Sequence, residues 1–383
     1  MRTARRTHGF TESVIRRMTR LANQHGAINL DQGFPDFACP DLLKEAAARA
    51  IREDVNQYAI TWGAKRLRHA LARKYAEWYG MDADPEAEIT VTCGATEAMA
   101  SSVLALVDPG EEVIVFEPFY ENYGPDAILC GAAPVYVPIA SEGRLDLERL
   151  AAAFSGRTRA IIVNTPNNPS GRVLSREELE AVEELCRRHD AWAITDEIYE
   201  HICYEGEHVP IATLPGMRER TVTISGASKT YGVTGWRVGT IVAPAAATDA
   251  IRKVHDFLTV GAPAPLQEAV AVAIESLGRD YYEGLAHAYR ERRDVLIAGL
   301  RSAGFRCTSP QGAYYVLADF TALSDLTDEA FAEWLTRDIR VAPVPGSSFY
   351  SHPGLGRGQV RFAFCKTLPL LEDAVRRLAA IRH

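Results

Sequence analysis

Residues 221–239 read TVTISGASKTYGVTGWRVG, an apolar strand followed by a turn punctuated with glycine. Lys229 follows the strand among small residues, and Arg237 stands further along the same turn. Small neighbours would leave space for a planar ring beside the lysine amine. Because a single lysine in a loop is commonly only solvated, this stretch gains meaning from the rest of the chain.

The surrounding sequence predicts an α/β fold. From about residue 88, the β-rich runs EITVTC, EEVIVF, RAIIVN and AWAIT alternate with amphipathic helical stretches. Such alternation indicates a parallel sheet with helices on both faces. The clearest helix precedes Asp196: residues 179–186 place apolar side chains on one face, and Ser175 with Glu178 reads as a capping box.

The C-terminal part predicts a smaller α+β domain. It contains GAYYVLADF, a helix around EAFAEWL, the apolar run QVRFAF and a final helix from Leu370 to Ile381. With a boundary near Tyr281, we expect an arm and part of the small domain in residues 1–45, a large domain in 46–280 and the small domain in 281–383. A chain of 383 residues is long enough for two cores.

Composition narrows the class of protein. The net charge of -8 and the absence of a long Lys/Arg run argue against a nucleic-acid partner and favour small metabolites. The seven cysteines form neither CxxC pairs nor zinc-like clusters, so we expect no metal and a reduced, cytoplasmic setting. No run is long enough to span a bilayer. The Arg-rich start MRTARRTHGF favours a solvated helix end, with an organelle transit peptide as the alternative.

Polar residues that directly follow apolar strands are the candidate site, because ligands of open α/β sheets bind at the carboxyl ends of strands. In VTCGATEAM a strand runs into Gly94, and a helix is expected to begin at Ala95 or Thr96, where free N–H groups suit a phosphate. An ordinary strand-to-helix turn is the alternative.

Two further stretches end in polar side chains. NTPNNPSG holds Asn167 and Asn168 in a turn fixed by proline and glycine, from which an amide can donate to a ligand, although such turns are also common as plain loops. In AWAITDEIYE, Asp196 ends a nearly uncharged strand and Tyr199 follows on the same side if the chain makes one helical turn. A solvent-facing acid is the alternative reading of Asp196.

Together, SGASKTYGVTGWRVG, NTPNNPSG and DEIYE resemble the class I/II aminotransferases that depend on pyridoxal 5'-phosphate (PLP), in the aspartate aminotransferase superfamily. The likeness extends from GFPDF near the start to QVRFAF near the end. It implies the PLP-transferase fold of type I, in which helices sandwich a mostly parallel, seven-stranded sheet in the large domain and a smaller α+β domain accompanies it.

The resemblance also implies catalytic roles. Lys229 would form a Schiff base with the PLP aldehyde and then shuttle the proton at the substrate α-carbon. Asp196 would pair with the pyridinium nitrogen and keep it protonated. Asn168 and Tyr199 would hydrogen-bond the phenolic oxygen of the ring, with Asn167 the weaker candidate.

The remaining cofactor contacts follow from the same resemblance. The groups that would hold the phosphate are Arg237, Ser228 and the helix start formed by Gly94, Ala95 and Thr96. Tyr58 would reach in from a second subunit of a homodimer, and Tyr120 would lie on the face of the ring. Core packing is the alternative for both tyrosines.

For the substrate, Arg361 in QVRFAF would bind the α-carboxylate, near the backbone of Gly33 and the amide of Asn168. Gly261 stands where some relatives that handle aromatic substrates present a histidine. No second arginine can be assigned to a distal carboxylate, which puts a strict aspartate preference in doubt. The sequence leaves the positions of three candidates open: Arg17, Arg20 and Arg292.

The implied reaction moves an amino group from an L-amino acid to a 2-oxo acid, such as 2-oxoglutarate or pyruvate, by ping-pong chemistry. The donor could be glutamine, methionine, phenylalanine, another neutral or aromatic amino acid, or aspartate. A PLP-dependent C–S lyase or cyclising enzyme is the nearest alternative. A PLP-binding regulatory domain is a further alternative, but it would need a fused DNA-binding segment that this sequence does not show. A nicotinamide-dependent dehydrogenase would need a glycine-rich fingerprint after the first strand, which this sequence also lacks.

Overall fold

Three sheets and the helices that cover them make up the protein in the computed structural model, which describes residues 2–139, 143–352 and 354–382. The strands are β1 (Ile28–Asn29), β2 (Ile89–Thr92), β3 (Glu112–Glu117), β4 (Ala133–Pro138), β5 (Thr158–Asn164), β6 (Trp192–Asp196), β7 (Thr221–Gly226), β8 (Gly239–Val242), β9 (Tyr315–Asp319), β10 (Val341–Ala342), β11 (Val344–Pro345) and β12 (Gln359–Ala363). The helices are α1 (Val14–His25), α2 (Asp41–Arg52), α3 (Lys65–Tyr79), α4 (Ala95–Leu106), α5 (Tyr123–Cys130), α6 (Leu147–Ala153), α7 (Arg176–His189), α8 (Ala227–Thr230), α9 (Ala245–Thr259), α10 (Ala264–Ser276), α11 (Arg279–Ala303), α12 (Asp328–Trp334) and α13 (Leu368–Leu378).

The central sheet has seven strands in the order β2-β8-β7-β6-β5-β3-β4. Only β8 runs antiparallel to its neighbours β2 and β7, and the other pairings are parallel. This confirms the expected α/β class and the mostly parallel, seven-stranded sheet. Because β5, β6 and β7 are adjacent and parallel, the segments that follow their carboxyl ends meet at one edge of the sheet.

Helix α7 forms where its local pattern predicts. Ser175 and Glu178 make the expected capping box, in which each side chain accepts a hydrogen bond from the backbone N–H group of the other residue. Leu179, Val182 and Leu185 are buried against the sheet. Burial of each such side chain contributes about 1.5–3 kcal/mol, so this face fixes the helix on the sheet.

A three-stranded antiparallel sheet, in the order β11-β12-β9, organises the C-terminal part. The parallel pair formed by β1 and β10 attaches the N-terminal segment to this part of the protein. Ile28 and Leu30 are buried in the same core cluster as Val360 and Phe362 of β12. The arm therefore packs on the C-terminal sheet and positions the chain that follows it.

Helix α11 connects the two main cores. Tyr282 near its start belongs to the cluster under β2 and β8, whereas Leu296 and Leu300 belong to the cluster of the C-terminal sheet. The expected boundary near Tyr281 therefore falls in the first turn of a continuous helix. The division into domains stays a prediction, and its outermost residues, 1 and 383, lie outside the described residues.

The last helix differs slightly from the expectation of Leu370 to Ile381. Helix α13 begins at Leu368 and ends at Leu378, and a 3-10 turn over Ala379–Arg382 follows. The early start has a physical reason: a proline in the first turn needs no intrahelical N–H bond, and its fixed φ suits the helix. Within the described ranges, none of the helices is both long and apolar enough to cross a membrane.

Candidate active site

Lys229 lies at the carboxyl end of β7, in the single turn of helix α8. Its Nζ donates to the carbonyl oxygen of Gly33 at 3.0 Å and lies 5.6 Å from the ring centre of Tyr314. Burial lowers the pKa of the amine to about 8, because the charged form loses its hydration. An amine with such a pKa is partly neutral near pH 8, as a nucleophile must be.

Asp196 ends β6, the strand next to β7. Its Oδ2 accepts a hydrogen bond from the hydroxyl of Tyr123 at 2.8 Å, and its Oδ1 accepts one from the N–H group of Ile198 at 3.2 Å. Burial raises the pKa of this carboxyl above its ordinary value, while the bond from Tyr123 opposes the rise. A buried carboxylate held from two sides suits a cationic partner.

Asn168 and Tyr199 come from the segments after β5 and β6. The Oδ1 of Asn168 accepts from Arg361 Nη1 at 3.0 Å, and the hydroxyl of Tyr199 donates to that of Tyr315 at 3.1 Å. Asn167 holds its own turn instead, since its Oδ1 accepts from the Ser170 hydroxyl at 2.6 Å. The structure thus brings Asn168, rather than Asn167, into contact with the other site residues.

Arg361 lies in β12 and is fully buried. Its guanidinium lies over the rings of Tyr315 and Phe349, at 4.4 and 4.8 Å from their centres, and it also donates to the carbonyl oxygen of Asp31. Its Nε has no partner among the described residues. A buried cation with an unused donor is costly unless a ligand pairs with it, and a planar carboxylate fits the arginine fork.

The arm brings Gly33 next to Lys229. Gly33 places its carbonyl oxygen against both Lys229 and the hydroxyl of Tyr314, the latter at 2.9 Å. A Cβ at Gly33 would lie 1.8 Å from the hydroxyl of Tyr315, so only glycine allows this approach. The arm therefore lies directly on the groups that surround the lysine.

Gly94 and Arg237 form a cradle at the start of α4. The helix begins at Ala95, as expected, and Gly94 adopts a φ of 83°. Arg237 Nη2 would be 2.1 Å from a Cβ at Gly94, and it donates to the Cys93 carbonyl at 3.4 Å. The side chain of Thr96 is exposed at this helix start. Free helical N–H groups beside a guanidinium suit a phosphate.

The other predicted cofactor residues differ in their placement. Ser228 is buried in α8 next to Lys229, and Tyr120 packs edge to face on Tyr123 with 5.8 Å between ring centres. Tyr58 is 87% exposed and belongs to none of these contacts within the protomer. Its expected contribution to the site of a second subunit stays a prediction.

Sequence reasoning missed several residues that contact the site, among them Tyr123, Tyr315 and Asp31. Tyr123 donates to Asp196, and Tyr315 accepts a hydrogen bond from Tyr199. The carbonyl oxygen of Asp31 accepts a hydrogen bond from Arg361. Tyr123 stands in EPFYENY, three positions after Tyr120, so helical spacing was the available signal. Burial raises the pKa of Asp31 to about 6.

The three arginines that the sequence left open are engaged elsewhere in the protomer. Arg17 pairs with Glu329 at 3.0 Å, and Arg20 pairs with Glu12 at 2.6 Å, both on the surface. Arg292 stacks on Phe37 at 4.8 Å and donates to a backbone carbonyl. Their contacts within the protomer lie away from Lys229, and Arg361 stays the candidate for the substrate carboxylate.

These residues fit PLP, because one site combines an amine of lowered pKa, a buried carboxylate and a phosphate cradle. Comparison with known proteins agrees. The family model for aminotransferase class I and II matches residues 25–378. The chain is 40% identical to a probable N-succinyldiaminopimelate aminotransferase of Mycobacterium tuberculosis, over 99% of this chain and 98% of that one.

Two further comparisons extend this result. The chain is 39% identical to methionine aminotransferase of Escherichia coli, over 96% of this chain and 95% of the relative. The solved structure of the N-succinyldiaminopimelate aminotransferase from Mycobacterium tuberculosis superposes with a TM-score of 0.96 and 40% identity, covering 99% of this chain and 100% of the other. The chain therefore belongs to the class I and II aminotransferases, enzymes of fold type I that transfer amino groups with PLP as cofactor.

Proposed function

We propose that this aminotransferase takes a neutral or aromatic L-amino acid, such as glutamine, methionine or phenylalanine, as donor and 2-oxoglutarate or pyruvate as acceptor. One observation carries the assignment of the site: Lys229 Nζ donates to the carbonyl of Gly33, and Arg361 donates to the carbonyl of Asp31. An amine and a carboxylate-binding guanidinium thus end on one short segment. Because the carboxylate of an α-amino acid is bonded directly to its reacting α-carbon, an enzyme that acts there needs the two groups close together.

Lys229 is the proposed attachment point of the cofactor and the base at the substrate α-carbon. Its pKa of about 8 allows the amine to accept and return a proton near neutral pH. The hydrogen bond from Nζ to the carbonyl oxygen of Gly33, 3.0 Å long, orients the amine. Bound PLP supplies an electron sink for the carbanion formed at that carbon.

The polar groups at the ends of β5 and β6 are proposed to orient the ring. Asp196 would hold a protonated ring nitrogen, since its buried carboxylate gains most from a cationic partner. Asn168 and Tyr199 would donate to the phenolic oxygen, and Tyr120 would cover one face. The proposed phosphate site consists of Arg237, Ser228, Gly94, Ala95 and Thr96.

Arg361 is proposed to bind the substrate α-carboxylate, with Gly33 and Asn168 beside it. The preference for a neutral or aromatic side chain is supported by the tyrosine and phenylalanine rings around Arg361 and by the contacts that occupy Arg17, Arg20 and Arg292. Aspartate is the poorer donor in this proposal, because its second carboxylate would lack a matching cation from the same protomer.

A homodimer with shared sites is the proposed assembly. Tyr58 is 87% exposed and Phe257 is 92% exposed, with Leu258 and Val260 also exposed on the same helix end. Large apolar side chains that cluster on a surface favour an interface. We also propose the division into an arm and small-domain part (1–45), a PLP-binding domain (46–280) and a small domain (281–383), and a cytoplasmic location that suits seven free cysteines.

A donor panel tests the proposal. Purified enzyme is incubated with glutamine, methionine, phenylalanine or aspartate and with 2-oxoglutarate or pyruvate, and both products are quantified. We expect a yellow protein whose visible band shifts with each accepted donor, and no turnover from Lys229→Ala. Pyruvate, ammonia and a thiol from a sulfur-containing donor would instead indicate C–S elimination, and normal turnover by Lys229→Ala would refute the assigned role.

A further inference from the structure

His255 in α9 is fully buried, and both of its ring nitrogens face hydrogen-bond acceptors. Nδ1 lies 2.9 Å from Oε1 of Glu97, and Nε2 lies 2.8 Å from the carbonyl oxygen of Thr61. A neutral imidazole carries one ring hydrogen and can donate to only one of these oxygens. With an ionised Glu97, the two contacts together require the doubly protonated, cationic ring.

The surroundings of the ring support that protonation state. Burial lowers the pKa of His255, but the hydrogen bond and the charge of Glu97 raise it by more, so that the pKa lies above its ordinary value. The groups that face the ring are Glu97 of α4, the carbonyl of Thr61, the hydroxyl of Thr259 at 3.3 Å from Nδ1, and the neighbouring acid Asp256.

Glu97 stands in the first turn of α4, directly after the Gly94–Thr96 helix start. Its second oxygen, Oε2, accepts from the N–H group of Cys93 at 2.9 Å, so the carboxylate is anchored beside the cradle. A carboxylate stabilises a helix start, but it repels a phosphate bound there. The imidazolium of His255 cancels this charge at close range.

The other contact of His255 reaches the segment that carries Tyr58. Thr61 follows Tyr58 by three residues, and its carbonyl oxygen is held by Nε2. The backbone around Gly261 closes the same region, since the Sγ of Cys93 donates to the Gly261 carbonyl at 3.4 Å. One buried ring thus connects the helix start of a protomer with the segment proposed to reach the site of its partner.

We propose that His255 is a positioning residue for the phosphate group of the cofactor, because it neutralises Glu97 beside the cradle and fixes the segment that presents Tyr58. This inference rests on the proposed function, since it takes the Gly94–Thr96 helix start as the phosphate site. His255 itself touches neither phosphate nor substrate in this scheme; it acts through Glu97 and Thr61.

The test compares His255→Gln, Glu97→Gln and the double variant, all as purified dimers. The Kd for PLP is measured by equilibrium dialysis with absorbance detection. His255→Gln leaves the Glu97 charge uncompensated, so Kd is expected to rise about tenfold. Removing that charge in the double variant should bring Kd back to within about threefold of the native value, and Glu97→Gln alone should stay within about threefold as well.

Recovery of PLP affinity in the double variant distinguishes charge compensation by His255 from a role of His255 in packing alone. A double variant that binds PLP as weakly as His255→Gln overturns the proposal, and so does a tenfold loss in Glu97→Gln. If His255→Gln fails to fold, His255→Asn takes its place in the same comparison, with and without Glu97→Gln. As a control, His69→Gln changes a partly exposed histidine 3.5 Å from Glu86 and should leave Kd unchanged.

Thermal unfolding of the cofactor-free variants provides a readout that is independent of PLP and activity. We expect His255→Gln to unfold at a lower temperature, because the contact with Thr61 is lost, and the double variant to recover PLP affinity without recovering that temperature. Native enzyme that takes up no PLP at Lys229 would contradict the proposed function instead, which keeps the two failures apart.

Discussion

Tyr123 donates its phenolic hydrogen to Oδ2 of Asp196 at 2.8 Å, and both residues are buried. The hydrogen bond stabilises the ionised carboxylate, whereas burial favours the neutral acid. Tyr123 thereby favours the charge that Asp196 needs if it is to pair with a protonated ring nitrogen. A residue from the start of α5 thus supports the carboxylate at the end of β6.

Replacing Tyr123 by phenylalanine removes this donor and should raise the pKa of Asp196 further. A smaller fraction of ionised Asp196 weakens the electron sink, so kcat/KM for transamination is expected to fall about tenfold at neutral pH. Steady-state kinetics of the variant and the native enzyme, from about pH 6 to 9, measure this change in kcat/KM. An unchanged kcat/KM would show that Tyr123 serves packing alone.

A matched control for this change is Tyr136→Phe. The Tyr136 ring packs on Phe119 with 5.2 Å between centres, and its hydroxyl forms no hydrogen bond within the described part of the chain. Activity should therefore stay within about twofold of native, as expected for a substitution that loses no polar contact.

Formation of the link between apoenzyme and PLP should depend on the protonation of Lys229. Burial lowers the pKa of this amine to about 8, and only the neutral amine attacks an aldehyde. The rate at which the visible band develops after PLP addition should therefore rise with pH and level off above about 8. Stopped-flow absorbance across this range gives the apparent pKa. A midpoint near the ordinary lysine value, about 10.4, would contradict the influence of burial.

Arg361→Lys tests the substrate carboxylate site. Lysine keeps the positive charge but loses the planar fork and the contacts with the rings of Tyr315 and Phe349. We expect KM for both donor and acceptor to rise at least about tenfold, with a smaller change in kcat. The exposed Arg306, which pairs with Asp319 at 3.1 Å, offers a control: Arg306→Lys should leave both constants unchanged. Equal kinetics for the two variants would remove Arg361 from the site.

The alternation of strands and helices and the capping of α7 could be predicted because each depends on neighbours within one turn or one strand. Ser175 and Glu178 are three residues apart, so their contact can be read locally. The strand-end rule likewise gathered Asn168, Asp196 and Lys229 at one edge of the sheet, since parallel neighbours share their direction.

Contacts made by distant parts of the chain could not be predicted from local pattern. Lys229 and Gly33 are 196 residues apart, and Tyr123 and Asp196 are 73 apart. Each contact depends on how a helix or the arm packs over the sheet. Local sequence carries no mark of such contacts, so the bond from Tyr199 to Tyr315 and the one from Arg361 to Asp31 became visible only in the folded protein.

Behind the site, Lys74 of α3 forms a buried ion pair with Glu200, four residues after Asp196. Nζ of Lys74 lies 2.6 Å from Oε1 of Glu200, and the side chains are only 10% and 1% exposed. The hydroxyl of Tyr79 donates to the other oxygen of Glu200, also at 2.6 Å. The carboxylate is thus fully surrounded by donors that the fold supplies.

Lys74→Met leaves this carboxylate buried without its cation. Removing one partner of a buried pair costs about 3–5 kcal/mol, so the free energy of unfolding should fall by that amount. Lys253→Met is the matched control, because Lys253 and Asp249 also pair at 2.6 Å but their side chains are 72% and 70% exposed. Its free energy of unfolding should fall by less than about 1 kcal/mol. Urea unfolding of both cofactor-free variants, at equal protein concentration, measures the difference. An equal fall in the free energy of unfolding for both variants would mean that water reaches Glu200. The loss of Lys74 is costly only if the carboxylate it leaves behind is not hydrated.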